Sequence, residues 1–427
     1  MERYLVQGGL PLSGTVQIGG AKNSILPVLA AALLNDSSEE IRLRKVPALG
    51  DVRAMISILT CLGAQVGREG EDLLLQTAAV DCDQVPDLLM REMRSSIFLM
   101  GPLLGRLGRV RISYPGGCAI GLRPINLHLE GLQKLGAVIE EKNGSIEARG
   151  RLRGSKITLA YPSVGATENL MMASVCARGS TVIANAACEP EITDLQNFLN
   201  TLGARISGAG GPEITIRGVR GLHGGSYRVF PDRIVAGTFL LAAVITGGCI
   251  TVEGIVPEHL TALSGLLEQA GAAVEIGAAA ITVSAKRPLR ALQRVRTGPY
   301  PGFPTDLQPQ LLAALTLARG SSTVIEHVFK GRFHHVPELR RMGAKIDLSG
   351  HRAIIRGVDR LSGAEVKATD LRAGAALTLA ALAAEGPSRI TGISHIERGY
   401  ERLPETLSLL GARILRERGA PEEVLSR

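Results

Sequence analysis

The sequence contains no tryptophan, and aromatic residues make up only 3% of it. Its hydrophobic cores must therefore be built from Ala, Leu, Val and Ile, which suit closely packed helices. Few aromatic side chains are available to stack on the bases of a nucleic acid. No apolar run reaches the length of a membrane span, and the start MERYLVQGG lacks the long apolar region of a signal peptide. These absences favour a soluble globular protein with no membrane partner.

Cysteine is also sparse, and its spacing follows no metal-binding pattern. The sequence has no CxxC pair and no metal-like spacing of cysteine with histidine. We expect neither a metal nor another cofactor, and a reducing cytoplasm is the simplest setting. The six cysteines stand at positions 61, 82, 118, 176, 188 and 249.

The charge balance is basic, with a net charge of +8 and a pI near 9.4. Such a balance suggests a nucleic-acid-binding repeat protein, which would bind duplex DNA with a steep dependence on salt. However, most of the 48 basic residues are arginine, and there is no lysine-rich block. Arginine in quantity also suits small anionic ligands such as phosphates and carboxylates. Composition leaves both alternatives open.

A length of 427 residues predicts two or more domains, and an internal repeat shows how they are organised. The pattern LGA plus an apolar residue, or a close variant, recurs six times at intervals of 67 to 73 residues. A segment of helical period precedes each copy, so the glycine is predicted to be the left-handed residue that ends a helix. The copies begin at residues 62, 135, 202, 270, 342 and 410.

An apolar segment rich in small residues precedes each LGA helix, as in AKNSILPVLAAALL and DLRAGAALTLAALAAEG. Because these segments are apolar nearly all round, they are predicted to be buried helices. Each of the six repeats would then contain a buried helix, a strand, an LGA helix and further strands. The last repeat lacks its final strands, and VQGGLPLSGTVQIGGAK near the N-terminus resembles the missing piece. We therefore expect one domain at 21–229 and a second formed by 1–20 with 230–427, with the two termini close together.

Basic residues recur at the starts of these predicted helices. Lys22, Arg94 and Arg372 begin buried helices, and Arg233 is a fourth candidate. A cation at a helix N-terminus opposes the helix dipole at a cost of about 0.3–1 kcal/mol, whereas a bound anion would reverse the sign of that interaction. The pattern favours an anion site over solvated surface arginines. The corresponding basic residues near LGA helices are Arg123, Arg332 and Arg398.

Acidic residues recur at the same helix starts. Asp232 and Asp370 are predicted to be N-caps. Asp306, in the stretch FPTDLQ, could equally be a cap or a carboxylate that acts as a base or holds a substrate hydroxyl. The sequence does not decide between these two roles.

Eight stretches of the chain form a recognisable series: GGAKNSILP, PGGCAIGLRP, EPEITDLQNFL, PDRIVAGTFL, FPTDLQ, GRFHHVPELRRMGA, ATDLRAG and HIERGYERL. Together and in this order they resemble the bacterial enolpyruvyl transferases that act on UDP-N-acetylglucosamine, over essentially the whole chain. The resemblance implies an α/β fold of two inside-out barrel domains, each of three βαβαββ repeats, with the active site in the cleft between them. It also implies transfer of the enolpyruvyl group of phosphoenolpyruvate to the 3-hydroxyl of UDP-N-acetylglucosamine. The reaction releases phosphate by addition and elimination, without nucleic acid as a partner.

The resemblance further implies roles for particular residues. Lys22, Asn23, Arg123 and Arg398 would contact phosphoenolpyruvate around its phosphate, and Arg332 and Arg372 would lie on its carboxylate side. Asp306 would take a proton from the sugar hydroxyl. Asn126 stands where some relatives have Asp. The residues matching UDP-sugar contacts are Arg94, Arg123, Pro124, Ile125, Asn126, Leu127, Ser163, Val164, Asp306 and Val328.

The stretch PGGCAIGLRP places Cys118 in a glycine-rich loop, an unusual position for a structural cysteine. By resemblance, Cys118 is the proton donor, can form an adduct with phosphoenolpyruvate and is the target of fosfomycin. A thiol near arginines is expected to be reactive. The shikimate-pathway enolpyruvyl transferase is a rival within the same fold, but it lacks this loop. A catalytically altered duplicate is a further alternative, against which the intact Lys22, Cys118, Asp306 and Arg398 argue.

Overall fold

The computed structural model describes residues 2–116, 124–142 and 144–418 of the chain. These residues form two compact units, whose boundaries fall after residues 18 and 230. We call residues 19–116, 124–142 and 144–230 the internal unit, and residues 2–18 with 231–418 the terminal unit. In the described part of the chain, no helix is both long enough and apolar enough to cross a bilayer.

The strands are short, mostly of three to six residues. In chain order they are β1 (Glu2–Gln7), β2 (Ser13–Gln17), β3 (Ile41–Leu43), β4 (Gln65–Glu69), β5 (Asp72–Gln76), β6 (Arg109–Ser113), β7 (Val138–Lys142), β8 (Ser145–Arg149), β9 (Lys156–Thr158), β10 (Ser180–Ala184), β11 (Arg205–Ser207), β12 (Glu213–Arg217), β13 (Gly225–Tyr227), β14 (Cys249–Glu253), β15 (Ala273–Ile276), β16 (Ala280–Ser284), β17 (Val295–Arg296), β18 (Ser321–Ile325), β19 (Lys345–Ser349), β20 (Arg352–Arg356), β21 (Glu365–Lys367), β22 (Pro387–Thr391) and β23 (Arg413–Arg418).

The helices alternate with these strands. In chain order they are α1 (Lys22–Ala32), α2 (Gly50–Cys61), α3 (Asp87–Glu92), α4 (Met100–Leu107), α5 (Asn126–Lys134), α6 (Val164–Val175), α7 (Pro190–Thr201), α8 (Arg233–Thr246), α9 (Thr261–Gln269), α10 (Gln308–Leu315), α11 (Val336–Arg341), α12 (Leu371–Ala383) and α13 (Leu403–Leu409). Short 3-10 helices cover Arg94–Leu99, Pro257–Leu260, Thr305–Leu307 and Ile393–His395.

The internal unit contains three sheets around buried helices. The strand orders are β13-β3-β5-β4, β6-β8-β7 and β11-β12-β10-β9. Helices α1, α4 and α6 consist largely of buried residues, and α6 packs against both α1 and α4. In β10, Thr181 and Ile183 are buried while their neighbours are more exposed, the alternation expected of a sheet with one face covered. Helices therefore lie inside and sheets outside.

The terminal unit repeats this plan. Its sheets have the orders β15-β16-β14-β2, β17-β18-β20-β19 and β21-β22-β1-β23, and α8, α10 and α12 pack pairwise in the centre. Strand β1 lies between β22 and β23, with Glu2 opposite Arg418, and β2 pairs in parallel with β14. The N-terminal segment thus completes two sheets whose other strands come from the second half of the chain. Each unit is an inside-out α/β barrel of three βαβαββ repeats, as predicted.

The six LGA glycines confirm the predicted helix ends. Each has a positive φ, between 91° and 103°. An L-residue with a side chain rarely adopts this conformation, so glycine at this position ends the helix and turns the chain into the next strand. The glycines are Gly63, Gly136, Gly203, Gly271, Gly343 and Gly411.

Two of the buried helices do not begin as α-helix. The segment from Arg94 starts as a 3-10 helix and becomes α4 only at Met100, and the segment from Thr305 becomes α10 only at Gln308. Each α-helical part carries a proline in its first turn, Pro102 or Pro309. A proline has no N–H to donate, and it is accommodated best within the first turn of an α-helix, although α1 carries Pro27 in its interior. The prolines therefore favour a start of regular α-helix at these positions.

We expect Gly101→Ala to destabilise the protein by about 2–3 kcal/mol because it overpacks the contact between α4 and α6. A Cβ at residue 101 would lie 2.3 Å from the Asn169 backbone oxygen, and the Gly101 N–H donates to Asn169 Oδ1 at 2.6 Å. Gly265→Ala in α9 is the matched control, since no atom lies within 4 Å of its added Cβ. That control should gain about 0.5–1 kcal/mol from helix propensity. Denaturant unfolding of both variants tests this, and equal changes would contradict it.

Candidate active site

Three charged side chains of the terminal unit form a group that we call the acid–arginine cluster: Asp306, Arg332 and Arg372. Asp306 lies in the 3-10 turn before α10, Arg332 in the turn before α11, and Arg372 at the second residue of α12. Arg372 Nη2 donates to Asp306 Oδ2 at 2.9 Å, and Arg332 Nη2 donates to Asp306 Oδ1. The Arg332 Nε also donates to the Thr305 carbonyl oxygen at 3.2 Å. Residues from two consecutive repeats of the unit thus meet at one carboxylate.

Burial in the cluster is uneven. The side chains of Arg332 and Arg372 are only 3% and 4% exposed, whereas that of Asp306 is 24% exposed. Burial alone would lower the pKa of Arg372, but the negative charge of Asp306, with Tyr400 and Asp232, raises that pKa above its ordinary value. Arg372 therefore stays charged. Two cations and one carboxylate leave a net charge of +1, which attracts an anion to the accessible side.

The partners of Asp306 include two arginines. Its Oδ1 accepts a hydrogen bond from Arg332 and its Oδ2 accepts one from Arg372. Asp232 and Asp370 are the predicted N-caps of α8 and α12, and each accepts from two backbone N–H groups. Asp306 has the same sequence setting as the two caps and makes long-range ion pairs with two arginines.

Glu326 supports the cluster, and the sequence analysis did not identify it. This buried carboxylate follows β18 directly and accepts four hydrogen bonds. Two come from the hydroxyls of Thr297 and Thr305, at 2.7 and 3.0 Å, and two from the backbone N–H groups of Val328 and Phe329, at 2.7 and 3.1 Å. It therefore joins the turn that carries Asp306 to the segment that leads to Arg332. An acidic residue at the end of a buried strand was the only sequence signal for it.

In the internal unit, Lys22 lies at the start of a buried helix, as Arg372 does in the terminal unit. It is the first residue of α1. Its Nζ donates to Asp51 Oδ2 at 3.0 Å, and the two side chains are 14% and 7% exposed. Asp51 lies in the first turn of α2 and was also missed by the sequence analysis. A lysine held at a helix start by a buried carboxylate has a fixed direction, as an anion contact requires. Asn23 follows Lys22 and is half-buried.

Two of the predicted sugar-nucleotide residues start α6 in the internal unit. Ser163 is the N-cap, and its Oγ accepts from the Ala166 N–H at 3.4 Å; Val164 is the first helical residue. Arg94, half-buried, begins a 3-10 helix that packs on α6. Its positive charge also helps to lower the pKa of the buried His128 of α5.

His128 makes the stability of the protein sensitive to acid. Burial, and to a lesser extent Arg94, lowers the pKa of His128 to about 3, and Asn169 Nδ2 lies 3.0 Å from His128 Nδ1. Because the unfolded pKa is about 6.5, the folded state binds fewer protons, so stability falls as pH drops below 6.5. We expect this residue to account for a loss of about 2 kcal/mol between pH 6.5 and 4.5.

His128→Gln should remove that part of the pH dependence, measured as the difference in unfolding free energy between pH 7.5 and 4.5. His351→Gln is the control, since His351 is exposed in the turn between β19 and β20. An unchanged acid loss in His128→Gln would contradict the prediction.

The remaining predicted residues lie in several places. Arg233 begins α8 with its guanidinium 5.8 Å from the centre of the Tyr300 ring. Arg398 is half-buried in the segment before α13, so Arg332 and Arg398 precede their helices rather than start them.

Cys118 and Arg123 lie outside the described residues. Pro124 is exposed, Ile125 is buried, Asn126 is the first residue of α5 and donates to Glu130 Oε1 at 3.2 Å, and Leu127 is half-buried.

Other chemistry is limited within the described residues. Across residues 2–116, 124–142 and 144–418, no group of three or more His, Cys, Asp or Glu side chains could hold a metal ion. The described cysteines are free thiols. Burial raises the pKa of Cys176 to about 11 and also raises that of Cys188, so neither is a ready nucleophile. The described groups are therefore suited to binding an anion and to moving a proton at a carboxylate.

Comparison with known proteins gives a consistent result. The model of the family described as EPSP synthase (3-phosphoshikimate 1-carboxyvinyltransferase) matches residues 6–407. A UDP-N-acetylglucosamine 1-carboxyvinyltransferase 1 of Symbiobacterium thermophilum is 53% identical over 422 residues, covering 97% of this chain and 95% of the relative. A UDP-N-acetylglucosamine 1-carboxyvinyltransferase 2 of Caldanaerobacter subterraneus subsp. tengcongensis is 50% identical over 417 residues, covering 97% of this chain and all of the relative.

A solved structure agrees with the sequence relatives. The crystal structure of the enolpyruvyl transferase NikO from Streptomyces tendae matches with a TM-score of 0.88 and 27% identity, covering 98% of this chain and 99% of that chain. The chain thus belongs to the enolpyruvyl transferase family, among the UDP-N-acetylglucosamine 1-carboxyvinyltransferases.

Proposed function

We propose that the protein transfers the enolpyruvyl group of phosphoenolpyruvate to the 3-hydroxyl of UDP-N-acetylglucosamine, the first committed step of peptidoglycan synthesis. The observation that carries this proposal is identity of 50% and 53%, over 97% of the chain, to relatives named for that reaction. The described basic residues at helix starts are suited to a doubly anionic substrate. The cytoplasm, where both substrates would be met, is the proposed location.

The proposed reaction has two steps. In the addition, the sugar oxygen forms a bond to the carbon that carries the phosphate, the hydroxyl gives up its proton, and the methylene carbon gains one. In the elimination, the bond to phosphate breaks and the new methyl group loses a proton, which restores the double bond. Both steps require the phosphate and carboxylate to be held by fixed cations, because such electrostatic preorganisation is a large part of catalysis.

Asp306 is the proposed acceptor of the hydroxyl proton. Its carboxylate is 24% exposed, so a substrate can reach it, whereas its two arginine partners are almost fully buried. A carboxylate has about four acceptor positions, so it can accept from a sugar hydroxyl as well as from arginine. Arg332 and Arg372 are assigned to the carboxylate side of phosphoenolpyruvate.

The other roles follow the match of motifs. Lys22, Asn23, Arg123 and Arg398 are assigned to phosphoenolpyruvate around its phosphate. Cys118, in the stretch PGGCAIGLRP, is assigned to proton delivery at the methylene carbon. The sugar-nucleotide contacts are assigned to Arg94, the run 123–127, Ser163, Val164, Asp306 and Val328.

An assay of phosphate release from phosphoenolpyruvate tests the proposed function. We expect release with UDP-N-acetylglucosamine as acceptor and none above background with 3-phosphoshikimate. The second acceptor belongs to the test because the matching family model is described by that activity. Release with 3-phosphoshikimate alone would overturn the proposal in favour of the shikimate-pathway reaction.

A further inference from the structure

The hydroxyl of Tyr400 joins three central helices of the terminal unit. It lies 2.9 Å from Thr238 Oγ1 on α8, 3.1 Å from Gln310 Nε2 on α10 and 3.3 Å from Arg372 Nη1 on α12. Tyr400 is 2% exposed, and Thr238, Gln310 and Arg372 are also buried. A polar junction in a core otherwise built from Ala and Leu costs free energy unless every group is satisfied.

The direction of each hydrogen bond in this junction can be assigned. Gln310 Nε2 and Arg372 Nη1 have only protons to offer, so both donate to the Tyr400 oxygen and occupy its two acceptor positions. Thr238 Oγ1 donates its proton to the Ile234 carbonyl oxygen at 2.8 Å. Thr238 must therefore accept the Tyr400 proton. With one donor and two acceptor positions filled, the hydroxyl has a single orientation.

Tyr400 also lies two residues after Arg398, a proposed contact of phosphoenolpyruvate. Only Gly399 separates it from Arg398, so the hydroxyl anchors the segment that carries Arg398. Tyr400 and Asp306 bind different nitrogens of the Arg372 guanidinium. Nη1 donates to the Tyr400 hydroxyl and Nη2 donates to Asp306. One buried phenol thus touches one arginine directly and tethers a second through the backbone.

We propose that Tyr400 is a positioning residue that fixes Arg372 and the Arg398 segment for binding of phosphoenolpyruvate, an inference that rests on the proposed function. Tyr400 itself does not touch substrate in this proposal. Its loss should therefore affect phosphoenolpyruvate more than the sugar nucleotide.

Tyr400→Phe isolates the hydroxyl from the ring. The Arg372 guanidinium lies 5.7 Å from the centre of the Tyr400 ring, and a phenylalanine ring keeps that cation–π contact. Gln310 Nε2 keeps its bond to Thr238 Oγ1 at 3.2 Å, so the variant removes an acceptor from the other Gln310 Nε2 proton and from Arg372 Nη1, the charged one of the two donors. A hydrogen bond to a charged group is worth enough to change kcat/KM for phosphoenolpyruvate by about 10- to 100-fold.

Steady-state kinetics with each substrate varied in turn test the inference. We expect Tyr400→Phe to raise the KM for phosphoenolpyruvate at least about tenfold while the KM for UDP-N-acetylglucosamine stays within about threefold. Tyr227→Phe is the matched control, because its hydroxyl donates to Asp194 in the internal unit at 2.5 Å and its loss should lower the unfolding midpoint without changing KM. Thr238→Val removes the acceptor of the Tyr400 proton and should change KM in the same direction as Tyr400→Phe.

The outcomes separate this inference from the proposed function. If the wild-type protein releases no phosphate, the proposed function fails. If the wild type is active and Tyr400→Phe, like Tyr227→Phe, lowers only the unfolding midpoint, the positioning role is overturned. Should Tyr400→Phe not fold, unchanged KM values in Thr238→Val would overturn it instead.

Discussion

Asp306→Asn is expected to lower kcat by about 10²- to 10⁴-fold, the range typical for loss of a general base. Asparagine keeps the shape of the side chain and can still accept a hydrogen bond, but it cannot take the proton of the sugar hydroxyl. Since the variant alters a step of the reaction rather than substrate affinity, the two KM values should change much less than kcat. Phosphate release at saturating substrates measures the effect.

The matched control is Asp347→Asn, which removes a surface ion pair. Asp347 bonds to Arg356 at 2.7 Å, and both side chains are more than half exposed. Surface pairs of this kind contribute at most about 1 kcal/mol, so activity should not change. Asp306→Ala gives a second result, a loss of about 3–5 kcal/mol of stability, because two buried guanidinium groups lose their carboxylate. An Asp306→Asn enzyme with wild-type kcat would exclude Asp306 as the base.

Lys22→Met is the change with the second largest expected effect. Loss of one preorganised charge at the reacting group commonly costs about 10²- to 10³-fold in rate, and we expect a reduction of that size in kcat/KM for phosphoenolpyruvate. The same change removes a buried partner of Asp51, which is only 7% exposed. Stability should therefore fall along with activity.

A double variant separates the two effects of Lys22→Met. Asp51→Asn alone removes the buried carboxylate, and Lys22→Met combined with Asp51→Asn removes both charges of the pair. We expect the double variant to regain most of the lost stability and none of the lost activity, as judged by unfolding midpoint and phosphate release. Recovery of activity together with stability would mean that Lys22 has only a structural role.

Local features of the fold were predictable from the sequence. The left-handed glycines, the buried Ala-rich helices and the caps Asp232 and Asp370 each depend on contacts within a few residues. The repeat itself was visible because each copy uses the same short signal at nearly the same interval. The fold class then followed from the number of copies and from the resemblance that the motifs carry.

The contacts of the candidate site were less predictable, since they join residues far apart in the chain. Asp306 and Arg372 are 66 residues apart, and Thr238 and Tyr400 are 162 apart. No local pattern distinguishes Asp306 from the caps Asp232 and Asp370. Asp51 and Tyr400 carried no signal of their own, and Glu326 had only its place at the end of a strand, because each acquires its role from the partners that packing brings to it.

The sequence by itself determined six repeated units, their helix ends and a set of basic residues at helix starts, because hydrophobic period and backbone preference act over a few residues. Only the tertiary structure decided that Asp306 binds two arginines. It also decided that one tyrosine hydroxyl joins three helices. The physical reason is that a buried charge or hydroxyl must be satisfied by whatever group the fold places beside it, and the chain order of those groups does not record that proximity.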